Sequence, residues 1–260
     1  MTVRTLVQRV IPVLAVAAVL AVSFVVSPGR IQNAAAACSY GYLGTGPTVT
    51  GVFWAAGPTI GGTGITISGC GFTGATSVKF GTSSAAFTVV SDSTIKATSP
   101  AHAAGVVDIT VATAVPFSTS ATNPSDLYRY TSAGWCAQFN MSRVPTHWVK
   151  GQTQKFYVYV LNCGLNTWPA LPYYRVDINV HFTTKRGSGF NTQSSWLNQT
   201  YHNLSKNQGP NSVVAIAITL KPTFTGTVFL EAEMIKLHQF WFGRYLYRPP
   251  QFAAVVVSVT

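Results

Sequence analysis

The chain has 260 residues, of which only 9% are charged, with 17 Lys and Arg against 6 Asp and Glu for a formal net charge of +11. That length accommodates two ordinary domains beyond a targeting segment. The scarcity of charge, beside abundant Gly, Thr, Ser and Val, excludes a helical protein built on solvated i,i+4 ion pairs and predicts many short strands and turns.

Residues 1–37 read as an export signal, with Arg4 and Arg9 before an apolar run from Val10 to Val26 and a small-residue stretch from Ala34 to Ala37. Cleavage is expected near Ala36 or Ala37. The rival is an uncleaved anchor helix, because the run stands at the lower edge of a bilayer span of ~17–25 residues. Ala35-Ala36-Ala37-Cys38 also offers a lipid-attachment alternative, in which Cys38 is modified and forms no disulfide. Membrane contact is expected only through such an anchor, and the chain is expected to act as a secreted or cell-surface protein.

From Thr48 onward, β-prone runs recur at about 8–12-residue intervals between Gly, Pro, Asn and Asp. Strands are predicted near Val49–Phe53, Ile65–Ser68, Ser77–Phe80, Phe87–Val90, Thr94–Thr98, Val106–Val111 and Leu127–Tyr130. Together they make one immunoglobulin-like sandwich over residues 38–131. Gly57-Pro58-Thr59, Gly61-Gly62-Thr63, Ile65 to Phe72, Val78-Lys79-Phe80-Gly81 and the closing Asp126-Leu127-Tyr128-Arg129-Tyr130 resemble an IPT/TIG domain over about residues 47–131. Phe72 and Phe80 are expected between the sheets. The segment Gly69-Cys70-Gly71-Phe72-Thr73-Gly74 spells GxGxxG but precedes another β-prone run, so it lacks the helix N-terminus a dinucleotide needs and reads as a turn.

Thr131 to Gly134 forms a short joint to a second sandwich, placed at residues 132–260. In it Val176, Ile178, Val180 and Phe182 alternate with Arg175, Asp177, Asn179 and His181, which predicts one buried and one solvated face. Val214, Ile216, Ile218 and Leu220, then Val228, Leu230, Ala232 and Met234, then Val255, Val257 and Val259 repeat the pattern. Glu231 and Glu233 oppose Val228, Leu230, Ala232 and Met234, and cross-strand ion pairing with the neighbouring strand that bears Arg175 and Asp177 is expected on the solvated face. The stretches Trp148 to Gln152, Val160 to Pro169, Gly226 to Phe229 and Phe240 to Gly243 resemble the four-tryptophan domain of the next-to-BRCA1 autophagy receptor and of bacterial secreted proteins. The resemblance implies protein contact and places Trp148, Trp168 and Trp241 in the core; Met234 stands where that domain usually has Trp.

Four cysteines in an exported chain predict two bridges, Cys38 with Cys70 and Cys136 with Cys163, the latter across neighbouring antiparallel strands. Residues 38–131 balance Lys79, Lys96 and Arg129 against Asp92, Asp108 and Asp126, so the excess positive charge lies in the second half. Outside a cell this favours anionic polymers over nucleic acid. No nucleophile, base and orienting group assemble from the sequence, and the five histidines read as surface or strand residues. A pair of catalytic carboxylates at Glu231 and Glu233 is the weaker alternative to surface charges. Tyr173, Tyr174, Tyr245, Tyr247 and Arg248 form a candidate binding patch, since exposed rings stack on sugars or partner proteins. The reading is an all-β, non-catalytic binding or structural protein with no cofactor or metal, serving adhesion, display or envelope assembly through a protein or polysaccharide ligand, the latter anionic where arginine meets it. A carbohydrate-binding accessory module is the alternative, and a hydrolase with an unrecognised site the remaining class.

Overall fold

The computed structural model describes residues 46–114, 118–170, 175–184, 186, 196–237, 240–242 and 252–260. Among these the chain is all β, with no helical element. The first half runs β1 (Thr48–Phe53), β2 (Ala56–Pro58), β3 (Gly64–Cys70), β4 (Ala75–Phe80), β5 (Ser83–Ser84), β6 (Ala86–Ser91), β7 (Thr94–Thr98), β8 (Gly105–Thr113), β9 (Ser118–Thr119) and β10 (Leu127–Thr131). A sheet ordered β1-β3-β7-β6 faces one ordered β2-β10-β8-β4-β5, with β9 beside β8. Period-two alternation sends Ile65 and Ile67, Ile95 and Ala97, Ile109 and Val111 into the gap, where Phe72, Phe80, Tyr128 and Tyr130 join one core. Phe80 meets Tyr128 edge to face at 5.0 Å.

The second half runs β11 (Ala137–Asn140), β12 (His147–Trp148), β13 (Gln154–Asn162), β14 (Val176–Thr183), β15 (Trp196–Asn203), β16 (Val213–Leu220), β17 (Gly226–Lys236), β18 (Phe240–Trp241) and β19 (Phe252–Val259). Here β11-β13-β16 faces β12-β19-β17-β14-β15, and β18 pairs with β17. Val158 and Val160, Ile178 and Val180, Leu230 and Ala232, and Val257 fill a second core with Trp148 and Trp168. Trp148 lies edge-on to Phe182 at 5.1 Å and donates its indole N–H to Pro145 O at 2.7 Å, which settles its one polar atom.

The predicted solvated face of β14 is not solvated. All eight of its residues are buried, Asp177, Asn179 and His181 included, and so are Glu231 and Glu233 on β17. The sheet pairing itself matches expectation, with His181 opposite Glu231 and Asn179 opposite Glu233. Alternation marks two chemically different faces but does not say what covers the polar one. Part of the cover is Trp196 of β15, whose ring stacks on His181 at 3.9 Å.

The disulfide Cys136–Cys163 is present, with Cα atoms 4.9 Å apart, as β11 and β13 pair antiparallel. Cys70 is also disulfide-bonded; Cys38, its predicted partner, lies outside the described residues. The described residues belong to one compact unit. The two sandwiches meet at a third, small cluster, in which Trp54 rests on Cys136, Leu161 and Cys163. Around it Gln138 donates to Ala56 O at 2.5 Å, Thr63 Oγ1 donates to Asn211 Oδ1 at 2.6 Å, and Asn211 Nδ2 donates to Gly61 O at 2.9 Å.

Candidate functional site

Among the described residues, one concavity lies on the first sandwich. On β3 and β7 the inward residues are Ile65, Ile67, Ile95 and Ala97, so Thr66 and Lys96 between them point outward. Strand register then aligns Phe53 with Thr66, Thr66 with Lys96, and Lys96 with Thr88, a row running across four strands. The next row places Gly64 opposite Thr98 and Thr98 opposite Ala86. These residues and Trp54 line a groove of about 460 Å³. A Cβ at Gly64 would meet nothing within 4 Å, so the missing side chain leaves an open floor.

The groove's wall depends on local backbone conformation. Adjacent strand residues project to opposite faces, so Phe53 and Trp54 would ordinarily be separated. Trp54 adopts φ of +63°, which is costly for an aromatic residue. The strand ends there, and the two rings come within 4.6 Å at a 48° tilt. Phe53 remains 36% exposed while Trp54 is half-buried against the joint. Among the described residues Lys96 is the groove's only charged lining residue, and no carboxylate lines it.

A second cluster is buried on the outer face of β14 and β17. His181 Nδ1 lies 2.7 Å from Asn179 Oδ1, and His181 Nε2 lies 3.5 Å from Glu231 Oε2. With Nδ1–H donating to Asn179, the Nε2 contact is favourable only when a proton sits on the imidazole or the carboxyl. Glu233 is 3% exposed; burial first, then the neighbouring Glu231 charge, pushes its pKa up to about 7. Arg175 Nε donates to both oxygens of Asp177 at 2.9 and 3.0 Å, yet burial outweighs that partner and raises the Asp177 pKa. Among the described residues no three His, Cys, Asp or Glu side chains converge as a cation site. Asp177, Glu231 and Glu233, expected on a solvated face, are thus interior, and Asp126 is buried as well. His181 lies in a strand, as one of its two expected placements had it, but on a buried face and not the solvated one. A buried, crowded pair of glutamates offers no water-filled cleft between separate elements, which is what glycosidic chemistry requires.

The glycine-rich segment is a turn, and its amides are occupied. Gly71 and Thr73 donate their N–H groups to the Asp92 carboxylate at 3.2 and 3.1 Å, and hydrogen bonding from Thr73 lowers the Asp92 pKa. The Val160 to Pro169 stretch is likewise structural. Asn162 Nδ2 donates to Asn166 O at 2.9 Å and Gln208 O at 3.0 Å, while its Oδ1 accepts from Gly164 N at 3.1 Å. A Cβ on Gly164 would stand 2.5 Å from Gly134 O, so only glycine admits this close approach.

Of the aromatic residues singled out in the sequence, Phe72, Phe80, Trp148 and Trp168 are fully buried. Trp168 packs edge-on to Phe242 at 5.6 Å. Trp241 pairs through its backbone with Ile235, and its side chain lies outside the described residues. Tyr173, Tyr174, Tyr245, Tyr247 and Arg248 also lie outside the described residues. Sequence reasoning missed Phe53 and Trp54 as a surface pair. Their adjacency at a strand end was the available signal, since a sheet cannot bury both against the same core.

Similar solved structures include the CARDB domain of a Pyrococcus furiosus protein, 16% identical, with 50% of this chain and 97% of that one covered and a TM-score of 0.32. Another is SGBP-B of the Bacteroides ovatus mixed-linkage glucan utilization locus in complex with mixed-linkage heptasaccharide, 13% identical over 84% of this chain and 46% of that one, TM-score 0.38. The plexin A4 extracellular region is 16% identical over 76% of this chain and 18% of that one, TM-score 0.32. No curated protein matches the chain. The IPT/TIG domain family matches residues 47–130, and this first sandwich is an IPT/TIG domain.

Proposed function

We propose that the chain is a non-catalytic, extracytoplasmic binding module of tandem immunoglobulin-like sandwiches that meets a protein or polysaccharide partner at the groove between Phe53 and Thr88. The boundary falls at the Thr131–Gly134 joint, and the second sandwich is of the four-tryptophan type, a reading supported by the buried Trp148 and Trp168. The observation that carries the function is a contrast of placement. The open groove holds rings, hydroxyls and one lysine but no acid or base pair, whereas Glu231, Glu233 and His181 are sealed inside a sheet layer. The Cys136–Cys163 bridge supports an oxidising compartment, and hence export directed by residues 1–37.

The test is capture of the purified protein on immobilised envelope proteins and on polysaccharides, with Gly64→Leu as the blocking variant. Leu at that position enters open space, so the fold should persist while the floor fills. Loss of capture by Gly64→Leu is the expected result. Capture unchanged by Gly64→Leu would remove the groove as the working surface.

A further inference from the structure

We infer that the groove takes an extended polysaccharide bearing carboxylate groups, an assignment that rests on the groove being the binding surface proposed above. Its wall supplies what a sugar's C–H face requires, two rings at 4.6 Å presenting apolar area at the rim. Its floor supplies what the hydroxyl edge requires. Thr66 on β3 and Thr88 on β6 both stand opposite Lys96 of β7, and with Thr98 of β7 they place three hydroxyls, each both donor and acceptor, on consecutive strands of the sheet. The row from Phe53 to Thr88 crosses three strand spacings, roughly 14 Å at about 4.8 Å each. Such a path suits a chain of rings better than a single small molecule. A protein anchor would want a deep apolar pocket, and Gly64 and Ala86 leave this floor shallow.

Charge selects among glycans. Lys96 stands in the middle of the row, exposed, with no ion pair among the described residues and no carboxylate in the groove lining. The groove therefore presents a single uncompensated positive charge between hydroxyls, a complement to a carboxylate repeated along a uronic acid polymer. The large positive excess of the second half adds attraction of the same sign at longer range, one that salt screens.

The experiment measures affinity of the full chain for polygalacturonate and for neutral cello-oligosaccharides, at low and physiological salt, by calorimetry and by affinity electrophoresis. Expected are saturable binding of polygalacturonate, a loss of about tenfold or more with Phe53→Ala and with Gly64→Leu, and a loss of several-fold with Lys96→Gln, each variant keeping the parent circular dichroism. Absence of polygalacturonate binding by the parent chain overturns the inference, as does binding that Phe53→Ala and Gly64→Leu leave unchanged. Equal affinity for the neutral oligosaccharides with Lys96→Gln silent overturns the anionic assignment. If Gly64→Leu abolishes capture by an immobilised protein while polygalacturonate is not bound, the groove stands as the binding surface and only the ligand class falls.

Discussion

At the residue scale, Glu233 carries a pH dependence whose sign follows from its surroundings. Its pKa rises from the ordinary 4.5 to about 7, through burial and then through repulsion by Glu231 on the same face of the strand. The folded chain therefore holds a proton that the unfolded chain has released between those two values, and stability falls as pH rises through that window. The rise corresponds to about 3 kcal/mol, fully expressed above pH ~7. Glu233→Gln removes the titration and keeps the shape. The expected outcome is a variant more stable than the parent at pH 8 by up to about 3 kcal/mol and nearly equal to it at pH 4.5, measured by urea unfolding at both pH values. Other groups shift in both directions, His202 downward and Asp177 upward through burial, so the difference between variant and parent is the quantity to read, since they cancel in it. Equal gains at both pH values would mean that the Glu233 carboxyl does not titrate in this window.

At the element scale, strands were legible wherever alternation and turn residues agreed. Predicted Thr94–Thr98 and Leu127–Tyr130 correspond to β7 and β10 within a residue, because apolar residues two apart have one geometric solution in a sandwich. The pairing of β14 with β17 was equally legible. The environment of their polar face was not, because it depends on Trp196, fifteen residues along the chain, folding over His181. The groove was illegible for a related reason: it needs Phe53, Thr66, Thr88 and Lys96 from four strands in one row, and register is a property of pairs of strands. Where a motif is held locally, element-scale prediction is sharper. Trp168 sits at a β-bridge with Gln208, bonded through both backbone groups at 2.8 and 3.0 Å, with its ring wholly buried against Phe242. Trp168→Ala should cost about 3–5 kcal/mol and loosen that end of the second sandwich. Thermal unfolding should show it directly, and a melting temperature within a degree or two of the parent would contradict a core role. Cys163→Ser should cost a further ~2–5 kcal/mol in its own right, since a loop closed over 27 residues is released in the unfolded chain.

At the scale of the whole molecule, the question is whether the two sandwiches move as one body, and the contacts at the joint decide it. The linker contributes short local bonds: Ala133 N donates to Thr131 Oγ1 at 3.0 Å, and Thr59 N to Thr131 O at 3.1 Å. Across the joint, among the described residues, stand three side-chain hydrogen bonds, from Gln138, Thr63 and Asn211, each worth about 0.5–1.5 kcal/mol net. The Trp54 ring on the Cys136–Cys163 bridge adds apolar burial, on the order of 2 kcal/mol for a half-buried indole. Trp54 and Asn211 both adopt φ near +63°, an arrangement that surrounding contacts must hold in place. Several kcal/mol against a short linker fix one orientation, and because Trp54 is also a groove residue, the second sandwich braces the wall of a site on the first. Replacing both Trp54 and Asn211 by Ala should therefore uncouple the sandwiches without unfolding either core, neither residue being among their fully buried side chains. Nuclear magnetic relaxation reads this as a change from one rotational correlation time, that of the whole molecule, to two shorter ones. A single unchanged correlation time in the double variant would mean that the linker alone sets the geometry and that Trp54 serves the groove only.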